Sequence, residues 1–353
     1  MPQTLQLINP MDMHLHLREG KLLESVLPFT TQVFSAAVVM PNLKIPITTT
    51  ALVNDYKEHI ISLSSATFTP LMTLYLTPSL TREELLLARD AGIRILKLYP
   101  KGATTGSENG VKDILCEKTL QVFAIAEELG FILSIHGESN GFCMEREYEF
   151  LPIFAYIAEH FPKLRIIIEH MSDRRSLEMI EKYKNLYATL TLHHITLNLD
   201  DVCGGMLNPH LFCKPMLKSR KDQQALLEAA LKAHPKISFG SDSAPHLESA
   251  KLSSKGAAGI FSAPVLLPAL TQLFESHNAL DSLQSFVSDR AIEIYQLQDF
   301  TQKSITLEKI QYNVPERIDT PLGAIVPLFA EKCITWRIKE QSGCFSSVKG
   351  IST

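Results

Sequence analysis

Short apolar runs rich in β-branched residues recur along the chain, separated by stretches in which apolar positions return every three or four residues. Eight runs stand out: Met11–Leu17, Val33–Pro41, Thr69–Leu76, Ile93–Pro100, Phe131–Glu138, Arg165–Met171, Tyr187–His194 and Lys236–Ala244. Continuous rather than alternating apolar character is what parallel strands show when both faces are covered. Between them, Thr81–Ala91, Cys116–Leu129, Leu151–His160 and Lys221–Ala233 carry the spacing of amphipathic helices. Thr81 and Asp173 stand where N-caps belong, and Gly92 and Gly130 where helices stop. Strand–helix alternation repeated eight times over roughly 250 residues predicts an α/β fold, the (β/α)8 TIM barrel. A doubly wound dinucleotide fold loses ground because no Gly-x-Gly-x-x-Gly turn follows the first run.

Two connections are too long for simple crossovers. Lys101–Lys112, with Gly102, Gly106 and Gly110, reads as a mobile loop, and Asn198–Leu217 as an ordered excursion with two prolines. Beyond the eighth strand the pattern predicts helices near Ala263–Ser276 and Leu280–Tyr295 and a small irregular or β-containing tail. No shift in composition marks a second domain. We expect one unit, a barrel over about residues 8–275 with a C-terminal helical and irregular extension over about 276–353.

Composition narrows the class without naming a function. The 353 residues are 45% hydrophobic and 20% charged, as in ordinary soluble proteins. A net charge of −4 without a long basic run argues against nucleic acid as a partner. Met1–Gln6 lacks the basic and apolar regions of a secretory signal, and no apolar stretch approaches the length of a membrane span. Cys116, Cys143, Cys203, Cys213, Cys333 and Cys344 are scattered with no Cys-x-x-Cys pair, so they read as reduced thiols and the expected location is cytoplasmic.

The chemistry lies where the apolar runs end. In a barrel of this kind the functional groups sit at the C-terminal ends of the strands. The first run ends in His14, His16 and Arg18, which share a strand face. The second ends in Asn42, the fifth in His136 and Glu138, the sixth in Glu169 and His170, and the eighth in Asp242 and His246. The fourth carries Lys97, whose parity with Ile93 and Ile95 points it inward. Desolvation lowers the pKa of a buried lysine, and the neutral amine can add carbon dioxide to form an anionic carbamate. A lysine paired with a buried carboxylate is the plainer alternative. With four histidines at neighbouring strand ends, the carbamate accounts for more. His14, His16 and Asp242 would then hold one metal ion and His136 and His170 another, with the Lys97 carbamate and a hydroxide between them. Nitrogen and oxygen donors without thiolate suit Zn²⁺, with Mn²⁺ and Co²⁺ also compatible. Asp242 would take the proton of that hydroxide and pass it to a leaving nitrogen, which makes the chemistry amide hydrolysis.

These residues resemble the amidohydrolase superfamily and, within it, the short single-domain bacterial dihydroorotases. The resemblance rests on Met11–Arg18, Met40-Pro41-Asn42, Lys97-Leu98-Tyr99-Pro100, Ala103-Thr104-Thr105, His136-Gly137-Glu138, Glu169-His170, Leu211–Lys218 and Gly240–His246. It implies reversible cyclisation of N-carbamoyl-L-aspartate to L-dihydroorotate in pyrimidine biosynthesis, with two Zn²⁺ ions on the residues named above. It also implies that Arg18, Asn42 and His246 bind the substrate carboxylate and that backbone groups at Leu217 and Ala258 hold the ring amides. Thr104 and Thr105 would lie on a closing lid, and the protein would be a homodimer.

Other polar residues are given supporting parts. His193 and His194, read as the end of the seventh strand, would face opposite ways and serve structure or orient ligands. His210 could touch the same shell, and Asp12 could orient an imidazole or a nearby loop. His160, His234 and His277 read as helix-end or surface residues. Two rivals remain: a hydantoinase-like enzyme of neutral rings, which has less need of Arg18, and a catalytically silent barrel, which should have lost ligands.

Overall fold

The computed structural model describes residues 2–339, so Cys344 and the end of the expected tail lie outside the described residues. Eight parallel strands follow one another in sequence order around a single sheet. They are Met11–Leu15, Ala36–Val39, Thr69–Tyr75, Ile95–Leu98, Ile132–Ile135, Arg165–Ile168, Leu186–Leu190 and Ile237–Phe239. The first and last strands meet at a parallel bridge between Leu15 and Ser243. There the Asp242 N–H donates to the His14 carbonyl at 2.8 Å and the His16 N–H to that of Ser243 at 2.9 Å. The ring therefore closes through the segments that carry the candidate ligands.

Every apolar run supplies a strand, and side chains divide by parity. Met11, Met13, Ala36, Val38, Ile95, Ile132 and Ile167 form an inner cluster, which Ala291, Ile294 and Tyr295 plug from below. The opposite faces pack against the helices in a larger cluster. Lys97 has the parity of Ile95 and is fully buried; Ile93 precedes the strand and packs in the outer cluster instead.

Local signals set the helix ends. Thr81 accepts a hydrogen bond from the Glu84 N–H at the start of helix Arg82–Asp90, and helix Glu117–Leu129 stops at Gly130, whose φ is 75°. Asp173 lies one residue before the cap of helix Arg175–Lys182, yet its carboxylate still accepts the Arg175 N–H at 2.9 Å. Helix Arg146–His160 begins earlier than its apolar spacing suggests, because its first turn is largely polar. The helical pattern over 280–295 is interrupted by a π-helical turn at Ser285–Asp289.

Two features depart from the expectation. The seventh strand ends at Leu190, and Thr191 caps a short helix, Leu192–Thr196, accepting the His194 N–H. His193 and His194 thus lie on a helix, not on opposite strand faces. At the other end, Thr4–Ile8 pairs antiparallel with Ser304–Glu308, which pairs with Arg337–Ile338. This three-stranded sheet ties the start of the chain to the extension. Among the described residues, no helix is long and apolar enough to cross a membrane.

The loop over 101–112 is bonded internally. Lys101 N–H donates to Val111 O at 3.0 Å, Val111 N–H to Tyr99 O at 2.8 Å and Gly102 N–H to Ser107 O at 3.0 Å. Ala103 and Ser107 are buried. The excursion after the short helix is ordered, as expected, with a helix at Leu199–Cys203 and a turn of 3₁₀ helix at Pro209–Leu211.

Candidate metal centre

Six residues from five strand ends converge at the top of the barrel. His14 Nε2 and His16 Nε2 lie 3.4 and 3.1 Å from Asp242 Oδ1. His136 Nδ1 and His170 Nε2 face each other at 3.1 Å, and the rings of His14 and His170 are 4.9 Å apart, joining the two groups. Lys97 Nζ forms an ion pair with Glu169 Oε2 and lies 4.2 Å from the centre of the Tyr99 ring. Arg18, His170 and Asp242 have positive φ values of 65°, 39° and 45°. Such backbone is costly for residues other than glycine and concentrates at functional sites.

Burial is the dominant electrostatic influence. It pushes the imidazoles of His14 and His170 well below their ordinary pKa, and that of His16 down against the pull of Asp242. These rings are therefore neutral and keep a lone pair for a metal. Burial likewise holds Lys97 well below the usual ammonium range.

Around the converging atoms, other groups face the far nitrogens of the rings, with hydrogen bonds at His136 and His16 and close approach alone at His14. Glu138 Oε2 is 2.8 Å from His136 Nε2, Glu169 Oε1 is 3.3 Å from His14 Nδ1, and Asn42 Oδ1 is 2.9 Å from His16 Nδ1. Ser134 Oγ donates to Glu169 Oε1 at 2.7 Å. Carboxylates and amides in these positions fix ring orientation and leave the facing nitrogens free to ligate. Of its two expected parts Asp12 takes the second, holding a nearby loop rather than an imidazole: it accepts the backbone N–H groups of His14 and Ser241 at 3.2 and 2.7 Å, fastening the first strand to the loop after the eighth.

The donor set fits divalent metal ions. His14, His16 and Asp242 place one donor atom each within 4.8 Å of one another, as do His14, Glu169 and His170. Apart from their ion pair, the buried Lys97 Nζ and Glu169 Oε2 make no hydrogen bond, and His170 Nδ1 has no partner. Buried polar atoms left this way are rare unless another group satisfies them.

A narrow cleft opens above these residues, bordered by Arg18, Asn42, Tyr99, Thr104, Thr105, Lys214, Ala244, Ala258 and Gly259. Arg18 Nη2 lies 3.0 Å from His246 Nε2, and its Nε donates to Pro245 O at 3.1 Å. Asn42 Nδ2 donates to Thr105 O at 3.0 Å, joining the His16 ring to the loop. Leu217 is buried beneath this wall and does not border the cleft.

His194 is held by Thr191 Oγ1 and Pro215 O, whereas neither ring nitrogen of the buried His193 is bonded. His210 sits half-buried on its turn, away from the cleft lining. His160, His234 and His277 bond to Tyr156 O, Glu181 and Leu273 O on the outside of the molecule. Sequence reasoning assigned no part to Glu169, Glu138, Tyr99 or Lys214. A buried lysine demanding an anion was the one available pointer to Glu169.

The chain matches the amidohydrolase family over residues 47–281. It is 72% identical to a dihydroorotase of Helicobacter hepaticus over 342 residues, covering 97% of this chain and all of that protein. A dihydroorotase of Helicobacter pylori strain P12 is 53% identical over 95% of this chain and 99% of its own length. The crystal structure of dihydroorotase from Campylobacter jejuni superposes with a TM-score of 0.91 at 40% identity, over 96% of this chain and 98% of that one. That of Saccharomyces cerevisiae dihydroorotase with 5-fluoroorotic acid gives 0.89 at 34% identity, with the same coverage. An L-hydantoinase from Arthrobacter aurescens, 16% identical with a TM-score of 0.78 over 95% of this chain and 83% of that one, shares the fold alone. The chain belongs to the dihydroorotases of the amidohydrolase family.

Proposed function

We propose that the protein catalyses the reversible cyclisation of N-carbamoyl-L-aspartate to L-dihydroorotate. The observation that carries this reading is the meeting of buried imidazoles with Asp242 and Lys97 beneath a cleft whose rim holds Arg18 beside His246. His14, His16 and Asp242 would hold one ion and His136 and His170 a second, with Lys97 between them as a carbamate. Two such ions, zinc by donor type, would supply Lewis acidity toward the reacting carbonyl and an activated water.

The remaining work falls to side chains. The Lys97 amine, kept neutral by burial, adds carbon dioxide with formation of one C–N bond and loss of one proton. Arg18 offers a planar fork to the substrate carboxylate, with Asn42 and His246 completing the grip. The backbone of Ala258, on the cleft wall, holds a ring amide. Asp242 takes a proton from the attacking water and delivers it to the leaving ring nitrogen, and in the direction of synthesis it returns it. Thr104 and Thr105 cover the cleft and limit the entry of water. A single domain, homodimeric assembly and cytoplasmic residence go with this reading.

The test measures metal per chain and turnover on one purified sample. Two ions per chain and faster hydrolysis of L-dihydroorotate than of hydantoin are expected. Preference for hydantoin would overturn the substrate assignment.

A further inference from the structure

Lys251 is another buried lysine, outside the metal centre. It ends the short helix Glu248–Lys251 and is 5% exposed. A lysine near a protein rim ordinarily extends its charged end to water. This one turns inward, donating to Phe212 O at 2.8 Å and to Gly259 O at 2.7 Å. Burial holds its pKa down at about 8. No carboxylate pairs with it among the described residues. A buried cation without an anion is an expensive way to pack a helix.

The two carbonyls belong to different segments that together build one wall of the cleft. Phe212 lies two residues before Lys214 and begins the stretch leading to Leu217; Gly259 follows Ala258. Lys214, Ala258 and Gly259 all border the cleft. Gly259 N–H also donates to Phe212 O at 2.9 Å, so the ammonium locks a joint that the backbone has already begun. Gly259 has little freedom of its own. At φ +145° an added Cβ would meet Ala244 Cβ at 2.8 Å and His246 Cδ2 at 2.9 Å.

We propose that Lys251 is a positioning residue for substrate binding. Its ammonium staples the strand-eight loop to the segment over 212–217, setting the place of the Ala258 backbone on the cleft wall and of the neighbouring His246. This inference rests on the substrate reading above and adds a residue that touches neither substrate nor metal.

Lys251→Met removes the donors while keeping length and apolar volume. The metal-loaded variant should bind 5-fluoroorotic acid about tenfold more weakly by calorimetry. KM for dihydroorotate should rise by about the same factor, with kcat within about threefold and metal content unchanged. Hydrogen exchange should quicken at both stapled segments and nowhere else in the barrel. Unchanged affinity and unchanged exchange in the folded variant would overturn the proposal. Should that variant lose its cooperative melt, Lys251→Gln, whose neutral amide lacks the ammonium's charge and full reach, is expected to lose about threefold in affinity, and full affinity there overturns the proposal equally. If the wild-type protein neither binds nor turns over these compounds, the substrate reading fails on its own. Exchange at the two segments then still decides whether the staple exists.

Discussion

Lys97 concentrates the physical problem of the site in one side chain. Its ammonium lies inside a barrel, where a charge is tolerated only when paired, and Glu169 pairs with it. Deprotonation relieves the same cost, and a neutral amine is the form that reacts with carbon dioxide. Lys97→Ala should therefore lower metal content per chain and reduce dihydroorotate hydrolysis by at least about a hundredfold. Short carboxylic acids should restore part of the rate by occupying the space the side chain leaves. Elemental analysis and turnover on the same variant check this, and full occupancy at full rate would refute the bridging role. The candidate ligands were legible in the sequence because each one interrupts an apolar run at a strand end. Glu169 and Glu138 were not: a carboxylate beside a histidine in sequence says nothing about which ring nitrogen it will reach across the barrel.

At the scale of elements, the loop over 101–112 shows how one backbone position sets a conformation. Gly106 has a φ of +71°, and an added Cβ would lie 3.2 Å from Asn42 O. Asn42 in turn holds Thr105 O and the His16 ring. Gly106→Ala brings conformational strain of about 1–2 kcal/mol together with a close contact, both relieved by lifting the loop from the cleft. Steady-state kinetics should show kcat/KM down by about tenfold with melting temperature and metal content unchanged. A variant with wild-type kinetics would show that the loop's position is not limiting. The barrel strands could be read because local apolar continuity specifies them. The strand Thr4–Ile8 could not, since what makes it a strand is pairing with Ser304–Glu308, a partner that local periodicity cannot see. The short helix bearing His193 and His194 was missed for a different reason. Thr191 was read as one more β-branched strand residue, when its hydroxyl acts as a helix cap.

For the molecule as a whole, the buried lysine at 251 links the architecture of the cleft to global stability. Its folded pKa of about 8 lies below the unfolded value of 10.5. Between those limits the unfolded chain binds a proton that the folded chain has released, so stability rises with pH across the window. Below it, Lys251 is charged in both states and the full desolvation cost remains. The groups facing the ammonium do not blur this behaviour. Burial pushes the Cys213 thiol far up, His246 down to about 3, and His193 and His210 below their ordinary range, so all stay neutral throughout. Surface tyrosines and lysines also titrate at alkaline pH, but they do so equally in Lys251→Met. Comparing urea midpoints of the two proteins at about pH 7.5 and about pH 10 therefore isolates the one group. The wild type should gain about 2 kcal/mol on the variant over that interval. Parallel shifts in both proteins would mean that the ammonium is solvated in the folded state, and a solvated ammonium would not be held on the carbonyls of Phe212 and Gly259.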